Sequence, residues 1–228
     1  MASANQISIA TAAPAPGPAL PARLSFLMNP LVDKIVALVA CGPFLWQLYA
    51  NYRRYGFDTP RVFLALHLLA FVLPSLFRRT PVRVTPNPLY WLLAFVATYW
   101  NLMTAGFVGP GHAIVPRGLT GLMSIFGTVI VLVARVNLGR NIGLVPAQRK
   151  IVTRGIYGVV RHPIYAGGFL LIVAVMLRSY SPLNVALFSI GMILFMIKSI
   201  VEENFLRTDP EYAAYMERVP WRWIPGAF

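Results

Sequence analysis

Acidic residues are nearly missing from this chain of 228 residues. Seven are present (Asp33, Asp58, Glu202, Glu203, Asp209, Glu211 and Glu217) against twenty lysines and arginines. Five of the seven follow position 201, so any chemistry that needs a carboxylate is confined to the C-terminal end. Cysteine is scarcer still. The single Cys41 excludes an intrachain disulfide, and one thiol with three scattered histidines makes no metal cluster. Cys41 lies in an apolar run and reads as a small buried apolar side chain, so it says nothing about redox compartment. Lysine is limited to Lys34, Lys150 and Lys198 beside abundant arginine and alanine, a bias that suggests a GC-rich bacterial genome. No basic run is interleaved with aromatics in the manner of an RNA or DNA footprint, so no nucleic-acid partner is expected. No internal repeat is visible.

What the chain does have is apolar length. It is 57% hydrophobic with a mean hydropathy of +0.65, too apolar for an ordinary soluble domain of this size. Apolar runs near twenty residues suit a hydrocarbon core of roughly 30 Å, and without period-2 alternation they must be helices. The expected fold class is all-α: a polytopic helical membrane protein with about six transmembrane helices and a short C-terminal amphipathic helix. The spans fall near Leu31–Tyr49 (bent at Pro43), Val62–Phe77, Leu89–Val108, Leu119–Val136, Ile164–Leu177 and Leu183–Val201. The fifth is short for a full crossing. The organisation read from this is a disordered Ala/Pro-rich tail over 1–30, a four-helix membrane region over 31–136, and a ligand-binding region over 137–228. The tail has no basic start before an apolar run, so a cleaved signal peptide is not expected.

Orientation follows from the basic residues. With six crossings, five of the twenty (Arg53, Arg54, Arg61, Arg117 and Arg178) fall on one side, leaving fifteen on the side of both termini. The positive-inside rule puts that side in the cytoplasm, and with the codon bias the expected location is a bacterial inner membrane. The excess positive charge then faces anionic membrane lipids.

The C-terminal segment has local order of its own. Thr208-Asp209-Pro210-Glu211 reads as a helix start, with a cap, proline in the first turn and an acid on the dipole. Tyr212, Tyr215, Met216 and Val219 recur at helical spacing on one apolar face, and Pro220 ends the helix. Such a face lies on lipid or covers the mouth of the membrane helices.

The chemistry-bearing groups lie at two helix ends. Glu202-Glu203 closes one apolar helix, where ionisable groups are costly and usually face a cavity or a partner. Two solvated charges at a helix end is the plainer reading. Adjacent carboxylates also suit a cationic ligand or a diol. His162, before Pro163, sits where a helix leaves backbone N–H groups unpaired, as a capping histidine or a ligand contact. Tyr165 suits an interfacial belt equally well. His67 and His112 read as structural.

Taken together, Ile151-Val152-Thr153-Arg154-Gly155-Ile156-Tyr157, Arg161-His162-Pro163-Ile164-Tyr165-Ala166-Gly167 and Glu202-Glu203 resemble the isoprenylcysteine carboxyl methyltransferase family, within a wider group that includes phospholipid N-methyltransferases. Glu211-Tyr212, Tyr215 and Arg218-Val219-Pro220 look like the same family's tail. The resemblance covers about 137–228; the earlier helices match only in hydrophobicity. It implies a membrane methyltransferase using S-adenosylmethionine, held by Val152, Thr153, Gly155, Tyr157, His162, Pro163, Tyr165, Gly167, Glu202 and Glu203. Methyl transfer asks for alignment and exclusion of water more than for an acid–base pair, so no catalytic residue is named. The expected substrate is a lipophilic small molecule or lipid. Arg161, Arg207 and Arg222 would hold an anionic acceptor or simply lipid headgroups. The acceptor itself stays open among a prenylcysteine carboxylate, a phospholipid amine, an isoprenoid or quinone, and a small thiol, and so does the oligomeric state. Two other readings remain: a membrane reductase using a nicotinamide cofactor, and a non-catalytic membrane protein binding a cation or lipid in the same cleft.

Overall fold

The structure, a computed structural model, describes residues 22–55, 69–104 and 107–227. The tail before residue 22, His67 and the first part of the second expected helix lie outside them. Seven α-helices run through the described residues: α1 Pro30–Tyr55, α2 over 69–76, α3 Pro88–Thr104, α4 Arg117–Leu138, α5 Pro163–Arg178, α6 Pro182–Leu206 and α7 Pro210–Arg218. Helices dominate the chain. Three of them, α1, α4 and α6, are long and apolar enough to cross a membrane, and α5 is a shorter apolar helix.

Proline sets the start of five helices. Pro30, Pro88, Pro163, Pro182 and Pro210 each open one, where the missing N–H costs nothing and the fixed φ is already helical. Ser181 and Asp209 cap α6 and α7 by accepting backbone N–H bonds from Asn184 and from Glu211 and Tyr212, respectively. The Asp209 cap and α7 fall where the sequence places them.

One feature departs from all-α expectation. Arg83–Val84 (β1) pairs antiparallel with Ala147–Gln148 (β2), in the register Arg83 with Gln148 and Val84 with Ala147. Two residues are too few to show strand periodicity, so the sequence carried no signal of it. The pairing continues as Val82 N–H to the Gln148 carbonyl (2.8 Å) and Thr85 N–H to the Pro146 carbonyl (3.1 Å). It fastens the loop before α3 to the long connection between α4 and α5.

Packing between helices depends on small residues. A Cβ on Gly167 of α5 would come within 2.7 Å of the Gly127 carbonyl of α4, and one on Gly127 within 2.8 Å of the Gly167 carbonyl. The two backbones therefore meet directly, as small residues allow in membrane helices. On the other flank α3 packs on α6, with Trp100 Nε1 donating to the Leu187 carbonyl at 2.8 Å.

The two ends of the bundle are closed by polar ties. At one end, the fully buried Asn184 bonds Gly109 and Ser179, and His112 exchanges backbone bonds with Tyr180. His112 is therefore structural, as its isolation in the sequence suggests. At the other end, buried Asp33 accepts from Arg78 at 2.8 and 3.0 Å and from Arg149 at 3.2 Å. Burial first, then the neighbouring Arg78, pulls the Arg149 guanidinium down to about 10, while Asp33 opposes the shift. It remains a cation at neutral pH.

The glycine contact yields a test. Gly167→Val should force α4 and α5 apart and cost about 1–3 kcal/mol, read as a lower thermal midpoint in detergent. An unchanged midpoint would show that the two helices do not meet as described.

Candidate functional site

The site forms where α5 begins and α6 ends. Gly155, at φ +63°, turns the incoming loop; a side chain there would be strained and would strike Asn137 at 2.6 Å. A 3-10 turn over Gly155–Gly158 follows and buries Tyr157. Pro163 then starts α5, with His162 at its N-cap. Glu202 and Glu203 lie in the last turn of α6, which runs to Leu206, so the helix continues past the carboxylates. Adjacent helical residues point about 100° apart, and the pair accordingly serves two different places.

Glu203 faces inward and is 1% exposed. Its Oε1 accepts from Arg161 Nε at 2.7 Å and lies 3.0 Å from His162 Nε2; its Oε2 accepts from Arg222 Nε at 2.7 Å and Arg161 Nη2 at 3.3 Å. Arg161 Nη1 also donates to the carbonyls of Val219 and Pro220, each at 2.7 Å. The backbone repeats the tie, with Arg161 N–H on the Trp221 carbonyl (2.9 Å) and His162 N–H on the Arg222 carbonyl (2.8 Å). One carboxylate thus joins the start of α5, the end of α6 and the chain after α7.

Glu202 faces the other way, toward a cavity. Both of its oxygens accept from the Tyr165 hydroxyl, at 3.0 and 3.1 Å. The Tyr165 ring stacks on His162 and leans on Phe195, with centroids 5.4 Å apart in each case. The cavity has a volume of about 470 Å³, within the range of small-molecule sites. Glu202, His162, Tyr165, Tyr157, Arg161 and Val152 line it. Tyr212 and Tyr215 of α7 close its outer side, where their face packs with Val219 against Ile151, Leu206 and Met216. The Tyr215 hydroxyl donates to the Tyr157 carbonyl at 2.7 Å. Burial raises the pKa of Tyr157, Tyr212 and Tyr215, so all three hydroxyls stay neutral.

The cavity extends inward between apolar helices to Phe44, Phe71 and Val131. Other polar groups line the cavity as well. Lys198 is 4% exposed and donates to Thr98 Oγ1 at 2.9 Å. Asn101 Oδ1 is buried without a hydrogen-bond partner among the described residues. The Arg135 guanidinium lies 5.5 Å from the Phe71 ring centre. Sequence reasoning missed these residues as site groups by counting Lys198 and Arg135 as surface charge. The signal was there, since Lys198 is the lone charge inside the apolar run of α6, one helical turn before Glu202.

Of the ten residues expected around a cofactor, Val152, Tyr157, His162, Tyr165 and Glu202 line this cavity. Thr153, Gly155, Pro163, Gly167 and Glu203 do not: Gly155 and Pro163 shape the approach, Gly167 packs on α4, and Glu203 holds its arginines. Among the three arginines expected near an acceptor, Arg161 lines the cavity while bound to Glu203, Arg222 is bound to Glu203, and Arg207 is exposed at the end of α6.

The same stretch carries a family signature. Residues 116–209 match the phospholipid methyltransferase family. Two curated relatives, both described as probable protein-S-isoprenylcysteine O-methyltransferases, from Oryza sativa subsp. indica and subsp. japonica, are 34% identical over 106 residues. Those residues make up 43% of this chain and 56% of each relative, so the chain spans about half the length of the curated relatives it matches. Among solved structures, a eukaryotic intramembrane Ras methyltransferase, isoprenylcysteine carboxyl methyltransferase, aligns over 90% of this chain and 75% of its own. At 21% identity and a TM-score of 0.47, that likeness is too distant to carry an assignment.

The unequal burial of the two glutamates separates their roles. Glu203→Ala should leave Arg161 and Arg222 without their counter-charge and cost about 3–5 kcal/mol of stability. Glu202→Ala gives up only the Tyr165 hydroxyl and should cost less, about 1.5–3 kcal/mol at most. Thermal unfolding in detergent checks both, and equal losses would contradict the division.

Proposed function

We propose that this protein is a membrane-embedded methyltransferase that uses S-adenosylmethionine to methylate a lipophilic acceptor, as an isoprenylcysteine carboxyl O-methyltransferase does. The observation that carries the reading is Glu202: one carboxylate at the polar end of an apolar-walled cavity, within the segment that matches the methyltransferase family. The residues fit the cofactor's chemistry. It brings a sulfonium, an ammonium, a ribose diol and a flat base; the cavity offers a carboxylate for the positive groups and the diol, and Val152, Tyr157 and Tyr165 for apolar and aromatic contact. When bound, it supplies an electrophilic methyl group.

The chain's own residues do the rest. Tyr165 fixes the Glu202 carboxylate with its hydroxyl. Tyr212 and Tyr215, neutral and packed over the opening, exclude water and make α7 the lid of the site. Glu203 keeps His162 and the loop before it in place, so its contribution to cofactor binding is to position the groups around it. Lys198, one helical turn from Glu202, and Arg135 line the same cavity and provide positive charge for an ionised acceptor head, and the apolar walls take its tail. A prenylcysteine-like carboxylate meets both requirements and needs no strong base in the protein, since it is ionised already. Lipid and isoprenoid acceptors carrying an acidic group fit the same walls.

Isothermal titration of the detergent-purified protein with S-adenosylmethionine tests this reading. Binding is expected in the wild type, weakened by about 1.5–3 kcal/mol in Glu202→Ala. Binding of NADPH in its place would favour a reductase instead.

The membrane arrangement we propose has six crossings with both termini in the cytoplasm of a bacterial cell, so that the polar cofactor enters from the cytoplasm and the acceptor between helices. Reporter fusions after Arg83, Arg117, Lys150 and Phe228 should read in, out, in and in. A cytoplasmic signal at Arg117 would overturn it.

A further inference from the structure

We propose that a second cleft, lined by Lys34, Arg78, Arg79, Arg140, Arg149 and Lys150, binds the phosphate of an anionic phospholipid. The cleft encloses about 610 Å³, and its other lining residues are Thr80 and Val82. Four separate stretches bring the charges together: the start of α1, the loop after α2, the turn after α4 and the exit of β2. Six positive charges converge there against the single negative charge of Asp33, which lies beneath and is bound to Arg78 and Arg149. Like charges gathered in a concave site repel one another and raise the local concentration of anions.

The cleft is prebuilt, and the way it is built leaves its donors available. Backbone carbonyls hold the side chains: Phe77 accepts from Arg140 Nε at 2.6 Å, Arg79 accepts from Arg149 Nε at 2.7 Å, and Arg78 accepts from Lys34 Nζ at 2.5 Å. The Arg79 N–H donates in turn to the Arg140 carbonyl at 2.7 Å. Among the described residues, no ion pair engages Lys34, Arg79, Arg140 or Lys150. Arg79, Arg140 and Lys150 are exposed, with the outer guanidinium nitrogens of the two arginines left to meet a phosphate as a fork.

The surroundings favour a lipid as the source of that phosphate. Leu31, Ile35, Phe77 and Val82 are exposed apolar residues at or next to the positions that build the cleft. A headgroup phosphate in the cleft would leave its acyl chains on this flank, as in other basic pockets at the ends of membrane helices. Arg149 and Lys150 also line the cavity that holds Glu202, so a headgroup here would brace a wall of the candidate active site. The inference does not depend on the methyltransferase reading.

Native mass spectrometry of the detergent-purified protein, titrated with phosphatidylglycerol or phosphatidylcholine, tests the site. The wild type should retain phosphatidylglycerol in preference, and Arg79→Gln/Arg140→Gln/Lys150→Gln should weaken that binding by on the order of a hundred-fold. Arg79→Lys/Arg140→Lys should keep most of it, and Lys150→Gln alone should lose part, which separates charge from misfolding. Removing two charges at the far end of the bundle, Arg117→Gln/Arg178→Gln, should leave it intact. No preference in the wild type, or the same loss in the far-end variant, would overturn the site. Inorganic phosphate binding as tightly as the lipid, and displacing it, would assign the cleft to a soluble anion and overturn the lipid reading.

Discussion

A single buried carboxylate organises the C-terminal half of this protein. Glu203 sits at 1% exposure between Arg161, His162 and Arg222, and each of these belongs to a different part of the chain from its own. A carboxylate taken out of water is costly unless cations and hydrogen bonds meet it. Here they do, and Arg161 in turn is held by the Val219 and Pro220 carbonyls of the segment after α7. The start of α5, the end of α6 and the tail can therefore form only together. The cavity beside them inherits its shape from that arrangement.

The adjacent glutamate shows how helical geometry divides labour. A step of one residue turns Glu202 away from the arginines and toward the cavity, where its partner is the neutral Tyr165 hydroxyl. It keeps its negative charge available to a positive ligand, whereas the charge of Glu203 is spent within the fold. Positive charge stands close by: Lys198 lies one helical turn before Glu202, its Nζ 5.9 Å from the Tyr165 ring centre, and Arg135 lines the same cavity. A cavity that holds both signs of charge within apolar walls suits a cationic donor beside an anionic acceptor. That combination, more than any single acid or base, is the electrostatic basis for the proposed chemistry.

The sequence made some of this legible and hid the rest for physical reasons. Caps, prolines and periodicity are local, so α7, its Asp209 cap and its aromatic face were readable, as was the placement of the glutamates at a helix end. Direction around a helix depends on what packs against it, so the different roles of Glu202 and Glu203 were not readable. Arg161 and Arg222 looked like ligands for an acceptor because their partner is distant in sequence, 42 and 19 residues away, respectively. Lys198 and Arg135 entered the charge count as membrane-rim residues, although a lone charge inside an apolar helix is itself a sign of an interior site. The β1–β2 pairing joins two-residue segments whose contact is wholly tertiary.

The central claim is that the loop before α5 and the segment around α7, locked through Glu203, form one binding unit for S-adenosylmethionine. Hydrogen–deuterium exchange of the detergent-purified protein, with and without saturating S-adenosylmethionine, tests it most directly. The account predicts that the ligand slows exchange in both 151–165 and 210–222, including the α7 amides that contact no carboxylate. Protection confined to other helices, with these two segments unchanged, would contradict it.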